Sequence, residues 1–197
     1  MSTSSSSEAR AASPFVLVSG LPRSGTSLMM QMLAAGGLEP LTDGARAPDV
    51  WNPRGYLEWA PAKTLARDPA VVEAARGRAL KLISALLPVL PREHSYRVVF
   101  MERDPGEVAA SQRAMLAAGG RPARPDGASA EVLARHVART RAWLGAQPNF
   151  ATIGIALRDA VDRPLETAAR VRQFLSLELD VAKMAASVEP ALYRFRQ

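Results

Sequence analysis

The sequence contains no cysteine and only two histidines, and these absences exclude several kinds of site. Without cysteine, the chain can form neither a disulfide nor a thiolate-bound metal centre. The two histidines, His94 and His136, are too few for a histidine-rich metal site. Neither has an evident partner in its local sequence, so both are expected to be structural.

Long hydrophobic runs are also missing. The most apolar stretch, LKLISALLPVL, is too short to cross a membrane and contains Pro88. The first residues, MSTSSSSEARAASP, are polar and lack the apolar core of a secretory signal. We therefore expect residues 1–13 to be a disordered leader, residues 14–197 to form one domain, and the protein to be cytoplasmic.

Positive charge is in moderate excess but is not concentrated. The formal net charge is +6, and the arginines are scattered among aspartates and glutamates rather than forming a basic run. The alternation of basic and aromatic residues that single-strand binders use is missing. These features predict a mostly solvated charged surface and no nucleic-acid partner.

Strand-like and helix-like segments alternate along the chain, which favours an α/β fold. The predicted strands are 15–19, 78–83, 96–101 and 150–156, and the main predicted helices are 25–35, 103–116, 129–146 and 164–176. Residues 119–127 are expected to form a mobile loop. This order predicts a single three-layer domain with a mostly parallel sheet flanked by helices. Ligands of such sheets bind beyond the carboxyl ends of the strands.

The first strand is followed by SGLPRSGTS, a turn typical of a phosphate-binding loop that opens a helix. Gly20, Gly25 and Ser27 match the spacing of the Walker A motif, but Thr26 replaces its lysine. The loop's cation is instead Arg23. This departure weakens a metal–triphosphate interpretation, because that chemistry uses the lysine beside magnesium.

A second pattern, ERDPGEVAAS, joins the third predicted strand to a helix. Asp104 and Pro105 are typical of the start of a helix, and Glu107 lies where it could complete a capping box. Arg103 and Ser111 could together hold one phosphate through a cation and a hydroxyl. The alternatives are an ion pair between Arg103 and a nearby carboxylate and a packing role for Ser111.

Together, the two motifs resemble the sulfotransferase family, with a P-loop type of fold. The resemblance covers residues 15–115, and the segment NPRGYLE (52–58) is similar to bacterial members. It implies that 3′-phosphoadenosine-5′-phosphosulfate (PAPS) is the donor and that no metal is required. The implied donor-binding residues are Arg23, Ser24, Gly25, Thr26, Ser27, Arg103 and Ser111.

The resemblance also implies catalytic roles. Arg23 and Lys81 would stabilise developing negative charge, and Glu58 is the candidate base for the acceptor's hydroxyl or amine. Ile83 occupies the position at which cytosolic members carry a histidine base. The acceptor is expected to be a small molecule, a glycan or a lipid, and the oligomeric state is not predicted.

Two further groups of residues surround this predicted site. Trp51, Tyr56 and Trp59 are expected either to line the acceptor pocket or to pin the long 38–60 loop to the core. The resemblance implies that the C-terminal residues, Tyr193, Arg194 and Arg196, close over the nucleotide.

Two other functions remain open, namely a P-loop kinase or triphosphatase that uses Arg23 instead of lysine, and a non-catalytic nucleotide-binding module.

Overall fold

The structure is a computed structural model that describes residues 14–118 and 129–193. The predicted leader (1–13), the predicted loop at 119–127, and Arg194 and Arg196 lie outside these described residues. Among the described residues, no helix has the length and apolar character that crossing a bilayer requires.

The centre of the fold is a four-stranded parallel sheet with the order β2-β1-β3-β4. The strands are β1 (Phe15–Gly20), β2 (Ala79–Ile83), β3 (Tyr96–Glu102) and β4 (Phe150–Ala156). All four coincide with predicted strands to within a residue. The chain crosses from one side of β1 to the other after β2, which puts a topological switch point beside β1.

The described helices cover both faces of this sheet. They are α1 (Thr26–Ala35), α2 (Pro105–Ala118), α3 (Ala130–Gly145), α4 (Leu157–Asp162), α5 (Pro164–Leu175) and α6 (Val181–Ala186). Short 3₁₀ helices occupy Ala60–Thr64, Pro69–Ala75, Ser84–Val89 and Pro190–Leu192. The single three-layer α/β fold is thus confirmed, whereas the pattern of the sequence did not predict α4 and α6.

Strand β1 is buried on both faces and divides the core into two clusters. Val16 and Val18 pack with α1, α5 and α6, whereas Phe15 and Leu17 pack with the 3₁₀ helices and α3. This alternation follows from the two-residue period of a strand. The buried methionines of α1 belong to the first cluster, as expected for core residues.

The predicted start of α2 is present. The Glu107 backbone N–H donates to Asp104 Oδ1 at 3.0 Å, as an N-cap requires. The side chain of Glu107 is directed to Arg103 and Tyr193, both of which donate to Glu107 Oε2. Helix α2 packs against α3 through Val108, Ala109 and Leu133.

Both histidines have partners in the structure, so the expectation that they lack them is wrong. His94 Nε2 lies 2.8 Å from Glu73 Oε1, at the amino end of the sheet and away from the strand ends where ligands bind. His136 Nε2 lies 2.8 Å from Ser84 Oγ, although the two residues are distant in sequence. A local pattern could not show these partners because both come from other elements.

Candidate active site

The loop between β1 and α1 has a backbone that only a few residue types adopt easily. Gly20, Arg23 and Gly25 have φ values of 145°, 79° and 100°. Glycine accepts such values without strain, whereas Arg23 adopts one at a cost. Gly25 directly precedes α1, so the first N–H groups of that helix face the loop. The predicted strand–loop–helix arrangement is therefore present.

Arg23 connects the loop to helix α2. Its Nε donates to Ser111 Oγ at 3.1 Å, and its terminal nitrogen donates to the Trp51 carbonyl at 3.4 Å. Ser111 is fully buried. Burial lowers the pKa of Arg23, but an arginine stays protonated at neutral pH. The first and second sequence motifs therefore meet through this one contact.

Arg103 lies next to the loop and forms hydrogen bonds with Glu107 and with the backbone of Arg23. Its Nε donates to Glu107 Oε2 at 2.8 Å, and one terminal nitrogen donates to the Arg23 carbonyl at 3.1 Å. The Tyr193 ring lies 5.1 Å from the guanidinium carbon. Arg103 thus forms the ion pair with Glu107 that the sequence offered as an alternative, while it remains at the edge of the loop.

Lys81 reaches the loop from the neighbouring strand β2. Its Nζ donates to Ser27 Oγ at 3.0 Å and to the Tyr56 carbonyl at 2.6 Å. Burial lowers the pKa of Lys81 to about 8, although the carboxylate of Glu58 acts in the opposite direction. A lysine from an adjacent strand therefore supplies a cation at the start of α1, where Thr26 replaces the Walker lysine.

Glu58 is close enough to act with Lys81. Its Oε1 lies 3.5 Å from Lys81 Nζ and 3.2 Å from Arg46, and its side chain is about one-third exposed. A carboxylate in this position can accept a proton from a molecule bound above Ser27. The structure therefore brings together the three predicted catalytic residues, Arg23, Lys81 and Glu58, around one cavity.

The segment that precedes Glu58 contributes contacts that the sequence analysis did not assign. Asn52 Nδ2 donates to Ser27 Oγ at 2.8 Å, and the Ser27 hydroxyl lies 3.5 Å from the Tyr56 carbonyl. Trp51 and Tyr56 line the cavity as predicted, whereas Trp59 packs against the core. The asparagine at the start of NPRGYLE was the available signal for this contact.

Two adjoining cavities extend from the loop. The first, of about 200 Å³, lies beside Lys81 and Glu58, and the second, of about 520 Å³, lies beside Arg103. Both are lined by Leu21, Arg103, Leu157 and Tyr193. The first cavity is lined by more cationic than acidic side chains. The cationic side chains are those of Arg23, Arg46, Arg54, Lys81 and Arg103, and the acidic ones are those of Glu58 and Glu189. The two cavities together form one trench, and its excess of positive charge lies in the first cavity, because three cationic and three acidic side chains line the second.

The Ser24 hydroxyl is one of two buried serine hydroxyls without a hydrogen-bond partner among the described residues, the other being that of Ser19. The Ser24 side chain is about 1% exposed. Buried hydroxyl groups are nearly always hydrogen-bonded. Ser24 lines the cavity beside Arg103. No cluster of three or more histidine or acidic side chains able to hold a metal occurs in the described part of the chain.

The sequence matches no protein-family profile and no curated protein, whereas its fold is similar to solved structures. A sulfotransferase domain from the curacin biosynthetic pathway superposes with a TM-score of 0.54 at 16% identity, over 90% of this chain and 78% of that one. The sulfotransferase STF9 from Mycobacterium avium superposes with a TM-score of 0.52 at 14% identity, over 89% and 67% of the two chains.

A third structure, a sugar kinase from Janibacter sp. HTCC2649, aligns with a TM-score of 0.43 at 18% identity. It covers 91% of this chain and 98% of that one, but the score is too low to support an argument from shared fold. The two better superpositions cover most of the chain. The chain therefore has the fold found in sulfotransferase structures.

Proposed function

We propose that this protein is a sulfotransferase that moves a sulfuryl group from PAPS to a hydroxyl or amine of an acceptor. The observation that carries the proposal is the contact between Arg23 and Ser111, at 3.1 Å. It joins the phosphate-binding loop to the second arginine–serine motif at the edge of one trench. PAPS carries anionic groups at two places, the 5′-phosphosulfate and the 3′-phosphate, and therefore matches that arrangement.

The residues of the trench fit such a donor. Arg23, Ser24, Gly25, Thr26 and Ser27 would hold the 5′-phosphosulfate through loop N–H groups, hydroxyls and one cation. The buried, unpartnered hydroxyl of Ser24 supports this assignment. Arg103 and Ser111 would hold the 3′-phosphate, with Glu107 orienting Arg103 through its Nε.

The donor, when bound, supplies the sulfuryl group and leaves as adenosine 3′,5′-bisphosphate. Arg23 and Lys81 place positive charge where negative charge grows on the leaving oxygens. Glu58 takes the proton from the attacking hydroxyl or amine of the acceptor. Trp51 and Tyr56 form the apolar walls of the acceptor side, which suits a small molecule, a glycan or a lipid.

Calorimetric titration tests the donor directly. Adenosine 3′,5′-bisphosphate is compared with adenosine 5′-diphosphate and with ATP, each with and without magnesium. We expect binding of the bisphosphate without metal, at least tenfold tighter than that of the diphosphate. Magnesium-dependent ATP binding without preference for a 3′-phosphate would overturn the proposal and favour a P-loop kinase.

A second comparison distinguishes an enzyme from a non-catalytic module. Slow release of sulfate from PAPS, with water as the acceptor, is measured for the unmodified protein and for Arg103→Ala. Turnover in the unmodified protein and its loss in the variant are expected for a transferase. Tight bisphosphate binding without sulfate release, even in the presence of mixed acceptors, would instead indicate a binding module.

A further inference from the structure

One carboxylate ties together both ends of the segment 49–56. Asp49 Oδ1 accepts hydrogen bonds from the backbone N–H groups of Trp51 and Asn52, at 2.8 and 2.9 Å. Asp49 Oδ2 accepts a hydrogen bond from the Tyr56 hydroxyl at 2.7 Å. Because a single side chain makes all three contacts, the segment is a closed loop, and we refer to residues 49–56 as the knot below.

The local sequence suits this closed form. An aspartate readily accepts hydrogen bonds from N–H groups two and three residues later, which begins a turn. The turn closes where the Gly55 N–H donates to the Asn52 carbonyl at 3.0 Å. Gly55 has a φ of 85°, which glycine adopts without strain. The knot is therefore encoded within eight consecutive residues.

The knot has two direct contacts with the proposed catalytic groups. Its Tyr56 carbonyl accepts from Lys81 Nζ at 2.6 Å, and its Asn52 side chain donates to Ser27 Oγ at 2.8 Å. Lys81 also donates to Ser27 Oγ at 3.0 Å. The lysine and the serine are thus held on one side by strand β2 and helix α1 and on the other by the knot.

The Tyr56 side chain connects the carboxylate to the lysine. It is about 4% exposed, with the Arg46 guanidinium 3.3 Å from its ring centre on one side. The Lys81 Nζ lies 5.7 Å from the same ring. Asp49 anchors the hydroxyl end of this ring, so movement of the ring would open a path for water to Lys81.

We propose that Asp49 is a positioning residue that, through Tyr56, keeps Lys81 shielded from water and directed at Ser27. The role rests on the proposed function, because it affects catalysis only if Lys81 acts on the donor. Asp49 itself does not contact Lys81 or Ser27. Its effect is transmitted by the Tyr56 hydroxyl and by the backbone of the knot.

The composition of the chain allows a direct test. Lys63, Lys81 and Lys183 are its three lysines, and Lys63 and Lys183 are exposed. Protein labelled with isotopic lysine can therefore be titrated by NMR, with three side-chain signals to follow. The charged groups that face Lys81 are Glu58, Arg46 and Arg23, and none of them is changed in the test.

The two variants Asp49→Ala and Tyr56→Phe give a result whose sign is informative. Loss of the Asp49 negative charge alone would lower the pKa of Lys81, because a nearby anion favours the ammonium form. Loss of the shielding would raise it from about 8 toward the ordinary 10.5. We expect a rise of one unit or more in both variants. Asp49→Asn, which keeps an acceptor oxygen for the two N–H groups, is expected to restore most of the original value.

Matched controls separate this role from a general loss of stability. Asp180→Ala removes another aspartate that caps a backbone N–H, and it is expected to leave the pKa of Lys81 unchanged. Tyr96→Phe removes a tyrosine hydroxyl that donates to the Pro91 carbonyl, also without effect on Lys81. An unchanged or lowered pKa of Lys81 in folded Asp49→Ala and Tyr56→Phe proteins would overturn the proposal.

Sulfate release completes the test. We expect both knot variants to release sulfate from PAPS at least tenfold more slowly than the unmodified protein, with the alkaline limb of the pH profile moved upward. The Lys81 titration is read in the protein without ligand. If the unmodified protein neither binds nor hydrolyses PAPS, the proposed function fails, while the NMR result still decides whether Asp49 positions Lys81.

Discussion

Lys81 and Ser27 are in direct contact although they lie on different elements, with Nζ 3.0 Å from Oγ. Ser27 is the second residue of α1, and Lys81 lies in strand β2. The contact therefore places a lysine beside the loop, although Thr26 occupies the lysine position of the Walker A motif. The charge of that lysine depends on pH near neutrality, because burial lowers its pKa to about 8.

The affinity for adenosine 3′,5′-bisphosphate is therefore expected to fall as the pH rises through about 8. Lys81 is cationic below that pH and becomes neutral above it, so the attraction for an anion is present below and lost above. A charge-assisted hydrogen bond is worth about 1.5–3 kcal/mol, which corresponds to roughly a 10- to 100-fold change in affinity. Calorimetry between pH 6.5 and about 9.5 measures this change in affinity.

Lys81→Met is expected to bind weakly throughout and to lose this pH dependence, while Lys183→Met serves as the control on an exposed lysine. The same decline in affinity in Lys81→Met would show that another group is responsible.

Replacement of Ser111 by alanine is expected to weaken bisphosphate binding by about tenfold, because Arg23 loses the partner that orients it. The change also removes one buried hydroxyl, with a stability cost of about 1 kcal/mol. Ser187→Ala is the matched control, since Ser187 is buried directly after α6 and donates to the Met184 carbonyl of that helix. Equal affinities in the two variants, measured by calorimetry, would argue against a binding role for Ser111.

Glu58→Gln is expected to reduce sulfate release from PAPS by about 10²-fold or more, because the amide cannot accept the proton. Bisphosphate affinity is compared well below pH 8, because loss of the Glu58 carboxylate lowers the pKa of Lys81 and would otherwise weaken binding through that lysine. Glu39→Gln, which removes an exposed carboxylate paired with Arg78, controls for the loss of charge. Full turnover by Glu58→Gln would mean that a different group is the base.

A series of glycine substitutions tests the backbone of the loop. In Gly20→Ala, the new Cβ would lie 2.6 Å from the Met101 carbonyl oxygen, at a φ of 145°. Overpacking and backbone strain together predict a loss of about 3 kcal/mol or more in the free energy of unfolding. Gly37→Ala has a φ of 103° but open space, which predicts about 1–2 kcal/mol from strain alone.

Gly145→Ala completes this series, because it meets neither obstacle at the end of α3 and should be neutral or slightly stabilising. Chemical denaturation measures all three proteins. A Gly20→Ala variant as stable as Gly37→Ala would show that the loop relaxes around the added methyl group.

The local pattern of the sequence was enough to predict the fold. Each strand is a short apolar run, and the turn from Gly20 to Ser27 contains the glycines and hydroxyls that an anion-binding loop needs. These features act over a few residues, so they are readable without a structure. The parallel order of the sheet then followed from the alternation of strands and helices.

Contacts between distant residues required the tertiary structure. Arg23 and Ser111 are 88 residues apart, and Lys81 and Ser27 are 54 apart. Both pairs meet because parallel strands end at one edge of the sheet, but which side chain faces which partner depends on register and packing. The same holds for Ser84 and His136, whose contact no local pattern indicated.

The sequence by itself determined the four strands, the main helices, the loop and the residue types available for binding an anion. The tertiary structure decided that Glu107 holds Arg103, that Ser111 receives its hydrogen bond from Arg23, and that Asp49 closes the knot beside Lys81. The physical reason is that backbone preferences act locally, whereas the partner of a charged side chain is chosen by whichever element the folded core brings within about 3 Å.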